Sequence, residues 1–333
     1  MALPSGISFF MEGVTIVSVP TGGTSTAQNK RAPRSERSTG LFYAVLAYSL
    51  WGILPLYFLA LRPTGAFEIV GWRVLFSLVF CALVITVTRK WRTFVRVLRK
   101  PRIVWTMGLA GLLIYVNWQT YVLATVSGHV VEAALGYFIN PIVTVFIGVL
   151  VLRERLRVTQ WVAVGIAMAA VVVLTVGYGS LPWISLILAF SFGFYGLIKK
   201  RVDVDAVTGL TLETAWLAPV AIIQLIVVAA LSGLTFGTVS PWHTVGLLAA
   251  GVVTAVPLLL FASAARRLPL TVIGLIQFFA PVLQFLVGVF ILNEPMPPER
   301  WVGFGLVWVA LIILTADMIK SGRAPRKASL EPA

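Results

Sequence analysis

Charge is what this sequence has least of. Asp, Glu, Lys and Arg make up 11% of its 333 residues, against about 25% in an average globular domain. It holds one cysteine and two histidines. The lone Cys81 excludes an intramolecular disulfide framework, and its plainest reading is a small core residue. His129 and His243 lie far apart and belong to no H-E-x-x-H motif, and there is no G-x-S-x-G turn. The familiar metal and serine chemistries therefore have no foothold. A G-x-x-x-x-G-K-[ST] loop is also missing, which excludes ATP hydrolysis by that machinery. The expectation is a non-enzyme without cofactor or metal.

Long apolar runs take the place of charge. The chain is 59% hydrophobic, and a transmembrane helix needs about 20 mostly apolar residues. Ten candidate spans are predicted, near 41–61, 67–88, 103–125, 130–152, 158–177, 181–198, 209–231, 243–264, 270–292 and 300–319. Only Ser127, Gly128 and His129 separate the third from the fourth. A transmembrane barrel would show short segments of alternating polarity. Runs such as Val171-Val172-Val173-Leu174 and Leu258-Leu259-Leu260-Phe261 are continuously apolar instead. The fold class expected is an all-α polytopic membrane protein.

The net charge of +14 could suggest nucleic acid, but its distribution does not. In a ten-span layout, 23 of the 26 Lys and Arg residues fall on one side. Basic loops stay cytoplasmic, so both termini are expected inside, and the basic residues meet anionic lipid headgroups. No nucleic-acid-binding fold surrounds them.

Residues 121–176 and 261–316 echo one another at a constant offset of 140. Pro141 aligns with Pro281, Gly148 with Gly288, Glu154 with Glu294, Trp161 with Trp301 and Gly165 with Gly305. Such a period, holding five apolar segments, indicates a duplicated membrane module. Five is odd, so the second copy enters the membrane inverted. The charges agree. Arg153-Glu154-Arg155-Leu156-Arg157 is basic, whereas its partner Asn293-Glu294-Pro295-Met296-Pro297 has lost the arginines. Two inverted five-helix repeats are expected, 40–177 and 178–319. A Ser/Thr/Gly/Pro-rich extension over 1–39 is expected to be disordered, and a basic tail over 320–333 to be cytoplasmic. Residues 7–19 are mildly apolar but carry Glu12 and lack a basic lead, so they do not look like a signal peptide.

Polar groups inside lipid are costly and default to functional candidates. Arg73 in span 2 has two readings: a packing strut through carbonyls or Glu68, or a solute or gate contact. Span 3 carries Asn117, Trp118 and Tyr121, with Asn117 and Tyr121 on one face; they either bond between helices or line a cavity. In span 4, Tyr137 and Asn140 precede Pro141, which withholds the amide that would bond to the Tyr137 carbonyl. Span 9 repeats the device with Gln277, Pro281 and Gln284. Paired interrupted helices in inverted halves point to a central site, although packing kinks are the alternative. Trp51-Gly52 and Tyr195-Gly196 form a looser pair in spans 1 and 6, with glycines suited to close packing. Pro55 and Pro257 are candidate hinges. Glu132, then Glu213, are candidates for proton coupling, because apolar surroundings favour the neutral form of a carboxylate; both can equally be structural.

The stretch Leu135-Gly136-Tyr137-Phe138-Ile139-Asn140-Pro141, the R-E-R at 153–155 and Ala189-Phe190-Ser191-Phe192-Gly193-Phe194-Tyr195-Gly196-Leu197 resemble the RarD branch of the EamA-type transporters, within the drug/metabolite transporter superfamily. Glu213-Thr214-Ala215-Trp216-Leu217 and Val256-Pro257-Leu258 extend the likeness across residues 40–318. The resemblance implies ten helices as two inverted EamA modules in a bacterial plasma (inner) membrane. It also implies export or permeation of a small organic solute along spans 1, 3, 4, 6, 8 and 9. Names in that branch refer to chloramphenicol sensitivity, which identifies no substrate. The expected partners are a small-molecule solute and the lipid bilayer, with a second copy of the chain as a further candidate. The rival readings are a passive channel and a membrane scaffold.

Overall fold

The computed structural model describes residues 34–152, 156–265, 267–268, 272–273 and 276–323. The expected disorder of 1–33, the tail beyond 323 and the Arg153-Glu154-Arg155 link lie outside them. Every regular element among the described residues is helical. In chain order these are α1 (Arg34–Gly52), α2 (Leu54–Ala60), α3 (Ala66–Val87), α4 (Trp91–Leu98), α5 (Pro101–Val126), α6 (Val130–Leu152), α7 (Val158–Tyr178), α8 (Trp183–Arg201), α9 (Ala206–Leu231), α10 (Pro241–Ala265), α11 (Phe279–Leu286) and α12 (Pro298–Arg323). A π-helical turn, Val287–Ile291, continues α11. Residues 34–39, assigned from sequence to the extension, form the first turns of α1.

Seven of these helices are long and apolar enough to cross a membrane, and α1 with α2 makes an eighth, bent by 40°. Pro55 lies in the first turn of α2, where its missing donor is harmless, and the chain breaks just before it at Ile53. The segments expected at 181–198 and 270–292 give the shorter apolar helices Trp183–Lys199 and Phe279–Ile291. The second of these corrects the picture of two equivalent kinks. α6 runs through Pro141 as one helix. In the later segment Gln277 and Phe278 form a turn, and Pro281 falls in the first turn of α11. A first turn accepts proline because no intrahelical bond is lost, whereas a proline inside a membrane helix is tolerated where neighbouring groups answer the freed carbonyl.

The link between α3 and α5, predicted as a basic loop, contains the amphipathic α4. Phe94 and Val97 pack against Met107 and Leu212, while Trp91, Val95 and Leu98 are exposed. Exposed apolar residues interleaved with Arg92 and Arg96 suit a helix lying in the headgroup plane. Between α5 and α6 the three-residue turn is closed by His129 N–H donating to Ala124 O at 2.8 Å. Gly128 takes the positive φ, +75°, that this reversal requires.

α3 packs on α9 and α10, α5 on α8 and α9, and α1 on α10 and α11. α6 packs on α8 and α11, and α7 on α12. Exchanging the first five predicted spans with the last five turns this set of pairings into itself. Outward faces are apolar: Val176, Leu231 and Ile312 are all largely exposed, as expected of helices surrounded by hydrocarbon.

Candidate functional site

Arg73 sits on the second turn of α3 and is 5% exposed. Its Nε donates to Thr254 Oγ1 of α10 at 2.8 Å. Its guanidinium carbon lies 4.3 Å from the ring centre of Trp118 and 5.5 Å from that of Phe58. The hydroxyls of Tyr137, Tyr57 and Tyr121 lie within its electrostatic reach. Nη1 is buried with no acceptor. Desolvated cation–π contact is worth about 2 kcal/mol, whereas an unpaired buried charge costs several kcal/mol. The aromatic contacts therefore offset only part of the cost.

Sequence proximity makes Glu68 a candidate partner for Arg73. The structure commits that carboxylate elsewhere. Glu68 accepts from Thr235 N at 2.9 and 3.0 Å, Thr235 Oγ1 at 3.0 Å, Phe236 N at 3.0 Å and Trp72 Nε1 at 3.2 Å. It anchors the α9–α10 loop. Glu213, fully buried in α9, accepts from Lys199 Nζ at 2.8 Å and Tyr195 Oη at 3.2 Å. Among the described residues the ion pairs are Lys199–Glu213 and Arg157–Asp317, and neither includes Arg73.

The amides of α5 and α6 dock on α8. Asn117 Nδ2 donates to Leu188 O at 3.1 Å and to Ser191 Oγ at 3.0 Å, and its Oδ1 accepts from Tyr137 Oη at 3.1 Å. Asn140 Nδ2 donates to Ala189 O at 3.0 Å. Tyr121 stacks edge-on with Tyr137 at 5.6 Å, and Tyr137 with Phe192 at 6.2 Å. The Tyr121 hydroxyl is buried without a partner. Arg73, Asn117, Trp118, Tyr121 and Tyr137 thus form one cluster, linked to Tyr195 through Phe192.

The remaining candidates stand apart from it. Gln284 Nε2 donates to Trp51 O at 3.1 Å, leaving Gln284 Oε1 buried and unpartnered. The Trp51 ring packs on Tyr48 and Phe261. Gln277 lies at the turn before α11, and Pro281 within its first turn. Gly52 approaches α11 so closely that a Cβ would stand 2.6 Å from Leu283, while Gly196 faces open space; the proposed glycine pair is not equivalent. Glu132 Oε1 accepts from Ile184 N at 3.2 Å, at the start of α8. With His129, Arg300, Trp183 and Phe304 it borders a cavity of about 310 Å³, which does not include the Arg73 cluster.

Three further residues carry little signal in the sequence. Thr254 was a lone hydroxyl in an apolar run, detectable by the cost of polar groups in lipid. Tyr57 donates to Gly246 O at 2.8 Å, and one aromatic in an apolar run gives no signal. Glu294 stands out in the sequence only as the repeat match of Glu154. It lies in the α11–α12 link, where burial pushes its carboxyl up from the ordinary carboxylate range, against the opposing pull of the Val131 and Val130 amides.

Comparison with known proteins places these residues in a wider setting. The family described as the EamA-like transporter family matches at residues 38–176 and 181–316. Protein RarD of Streptomyces exfoliatus is 48% identical over 90% of this chain and 95% of its own length. A Vibrio cholerae protein named as an uncharacterized transporter is 41% identical over 89% of this chain and 98% of its own. A solved crystal structure, 19% identical, superposes with a TM-score of 0.53 over 87% of this chain and 99% of its own, a likeness of fold.

Proposed function

Because the chain belongs to the EamA-like transporter family, as a RarD-like multi-pass membrane transporter of the drug/metabolite type, we propose that it is a secondary transporter carrying a small organic solute across a bacterial plasma membrane by alternating access. The observation that carries this reading is the buried polar cluster of Arg73, Asn117, Tyr121 and Tyr137 at the crossing of α3, α5, α6, α8 and α10. Such groups are expensive in lipid and are retained where a solute passes. Asn140, Gln277 and Gln284 belong to the same path in this reading.

The reading includes ten spans, as two inverted five-span repeats with both termini cytoplasmic. The 140-residue echo, the exchange of helix pairings and the one-sided basic residues support it. With Cys81 replaced by alanine, single cysteines at Arg96 and Pro297 should be labelled from opposite faces of the membrane; labelling from one face would refute the inversion. Proton coupling, within this reading, falls to Glu213 rather than Glu132, since Glu213 is fully buried beside a lysine whereas Glu132 serves the α8 backbone.

The test is counterflow in proteoliposomes of the full-length protein, with solutes chosen by comparing metabolites of deletion and overexpressing cells. Trans-acceleration identifies a carrier. Flux without it identifies a channel, and inertness across the solute screen a scaffold. In the folded protein, Tyr137→Ala, Asn140→Ala and Gln277→Ala should each reduce exchange, and unchanged exchange in all three would rule out the central path.

A further inference from the structure

The Arg73 cluster has an imbalance between donors and acceptors. Its buried groups are rich in unfilled donors. Arg73 Nη1 and the Tyr121 hydroxyl both lack partners, and both residues are more than nine-tenths buried. Thr254 occupies Nε, so the Nη end of the fork is the part left for a ligand. The guanidinium carbon lies 4.3 Å from the Trp118 ring centre, and contact with a ring face uses none of the N–H groups of the fork. Planar forks of this kind match a carboxylate with two parallel hydrogen bonds. The acids of α3 and α9 are committed elsewhere: Glu68 to Thr235 and Phe236, and Glu213 to Lys199. The rings nearest the guanidinium, Phe58 and Trp118, are aromatic, as is Tyr137 beside Tyr121, and they suit an apolar body.

We propose that Arg73 and Tyr121 form an anion-recognition site for a small organic monocarboxylate with an apolar or aromatic body. One cation in the cluster sets the charge at one. The inference rests on the central-path reading and sharpens it, naming the chemical class of the solute. It also explains why an arginine is kept in the second turn of a membrane helix, where a carbonyl-bound strut would leave no Nη orphan.

The experiment follows thermal unfolding of the full-length purified protein by tryptophan fluorescence, titrated with benzoate, phenylacetate and hexanoate, each against its own amide. At least one carboxylate should raise the midpoint and half-saturate at a concentration about tenfold or more below its amide. Arg73→Gln should abolish that preference, with a ligand-free midpoint no lower than wild type, because an unpaired buried cation has been removed. Tyr121→Phe, which deletes an unpartnered hydroxyl, provides a second variant that should fold normally and bind the same carboxylate several-fold more weakly. Equal protection by acid and amide, no protection by any of the acids, or a preference that survives in Arg73→Gln would each overturn the proposal. Counterflow separates the two readings. Carboxylate binding without exchange retires the transporter and keeps the site; exchange of neutral solutes without carboxylate preference does the reverse.

Discussion

Glu294 and Val130, 164 residues apart, meet at 2.6 Å: the carboxylate accepts the first amide of α6, and its other oxygen takes the Val131 amide at 2.9 Å. The opening amides of a helix have no intrahelical partner, and a negative group there also meets the positive end of the helix dipole. Glu294 therefore caps a helix from the opposite half of the chain and pins the α11–α12 link to α6.

Replacing Glu294 with alanine should cost about 1–2 kcal/mol, the usual loss for a helix cap, read as a lower unfolding midpoint in detergent. The pH dependence has a definite sign. A carboxyl whose folded-state pKa is raised holds its proton more tightly when folded. Its contribution is greatest below the unfolded value of about 4.3 and is lost as pH rises through the folded one. The wild-type midpoint should decline across that window relative to Glu294→Gln. Parallel profiles would show that Glu294 does not titrate with folding.

Lys199 and Glu213 should respond asymmetrically. Glu213 is fully buried, whereas Lys199 is 27% exposed and can extend its amine toward water. Lys199→Ala strands a buried carboxylate and should cost about 3–5 kcal/mol. Glu213→Gln should cost less, and the double variant should recover most of the loss. A double-mutant cycle in thermal unfolding measures the coupling; additive losses would mean the pair is not energetically joined. In proteoliposomes Glu213→Gln should make exchange insensitive to a pH gradient.

Gly251 marks the tightest crossing. A Cβ there would stand 2.3 Å from the carbonyl oxygen of Phe76, and backbone of a packed helix cannot yield cheaply. Gly251→Ala should lower stability by about 2 kcal/mol or more, as overpacking does. Gly165 and Gly305, the repeat-matched pair, face open space. Their alanine variants should be neutral or slightly stabilising, since alanine is the better helix former. Expression and unfolding midpoints of the three variants check the order.

Asn117→Ala removes three hydrogen bonds. Bonds between membrane helices average about 0.6 kcal/mol, so a loss of roughly 2 kcal/mol is expected. Tyr121→Phe should leave the unfolding midpoint unchanged, because its hydroxyl has no partner to lose. A large drop on Tyr121→Phe would reveal a structural bond and count against a ligand role.

Segment positions were legible from hydropathy alone: 130–152 coincides with α6, and 158–177 falls one residue short of α7. The breaks were harder to place. A proline in an apolar run serves equally inside a helix, as at Pro141 and Pro257, or in a first turn, as at Pro55 and Pro281. Local sequence does not distinguish the two cases, because the neighbouring helices decide. α4 was hidden because eight residues containing two arginines count as a loop when charge alone is tallied. At the site, residue types singled out Arg73, Asn117, Trp118, Tyr121 and Tyr137 one by one, and the fold brings them together. Partners did not follow from type. Glu68 is five residues from Arg73 yet serves a loop 167 residues away, and Thr254 reaches Arg73 from a helix late in the chain.

The docking of each half's amides on the other half's first helix bears on how the molecule is made. Asn117 and Asn140 find their carbonyls on α8, and Gln284 finds its own on Trp51 of α1. A nascent chain emerges in order, so the first five segments enter the bilayer with the Nδ2 donors of two amides still unanswered, and they wait until α8 is inserted. A ribosome stalled before residue 183 leaves a membrane intermediate with exposed hydrogen-bonding groups, the kind of species that quality-control proteases recognise.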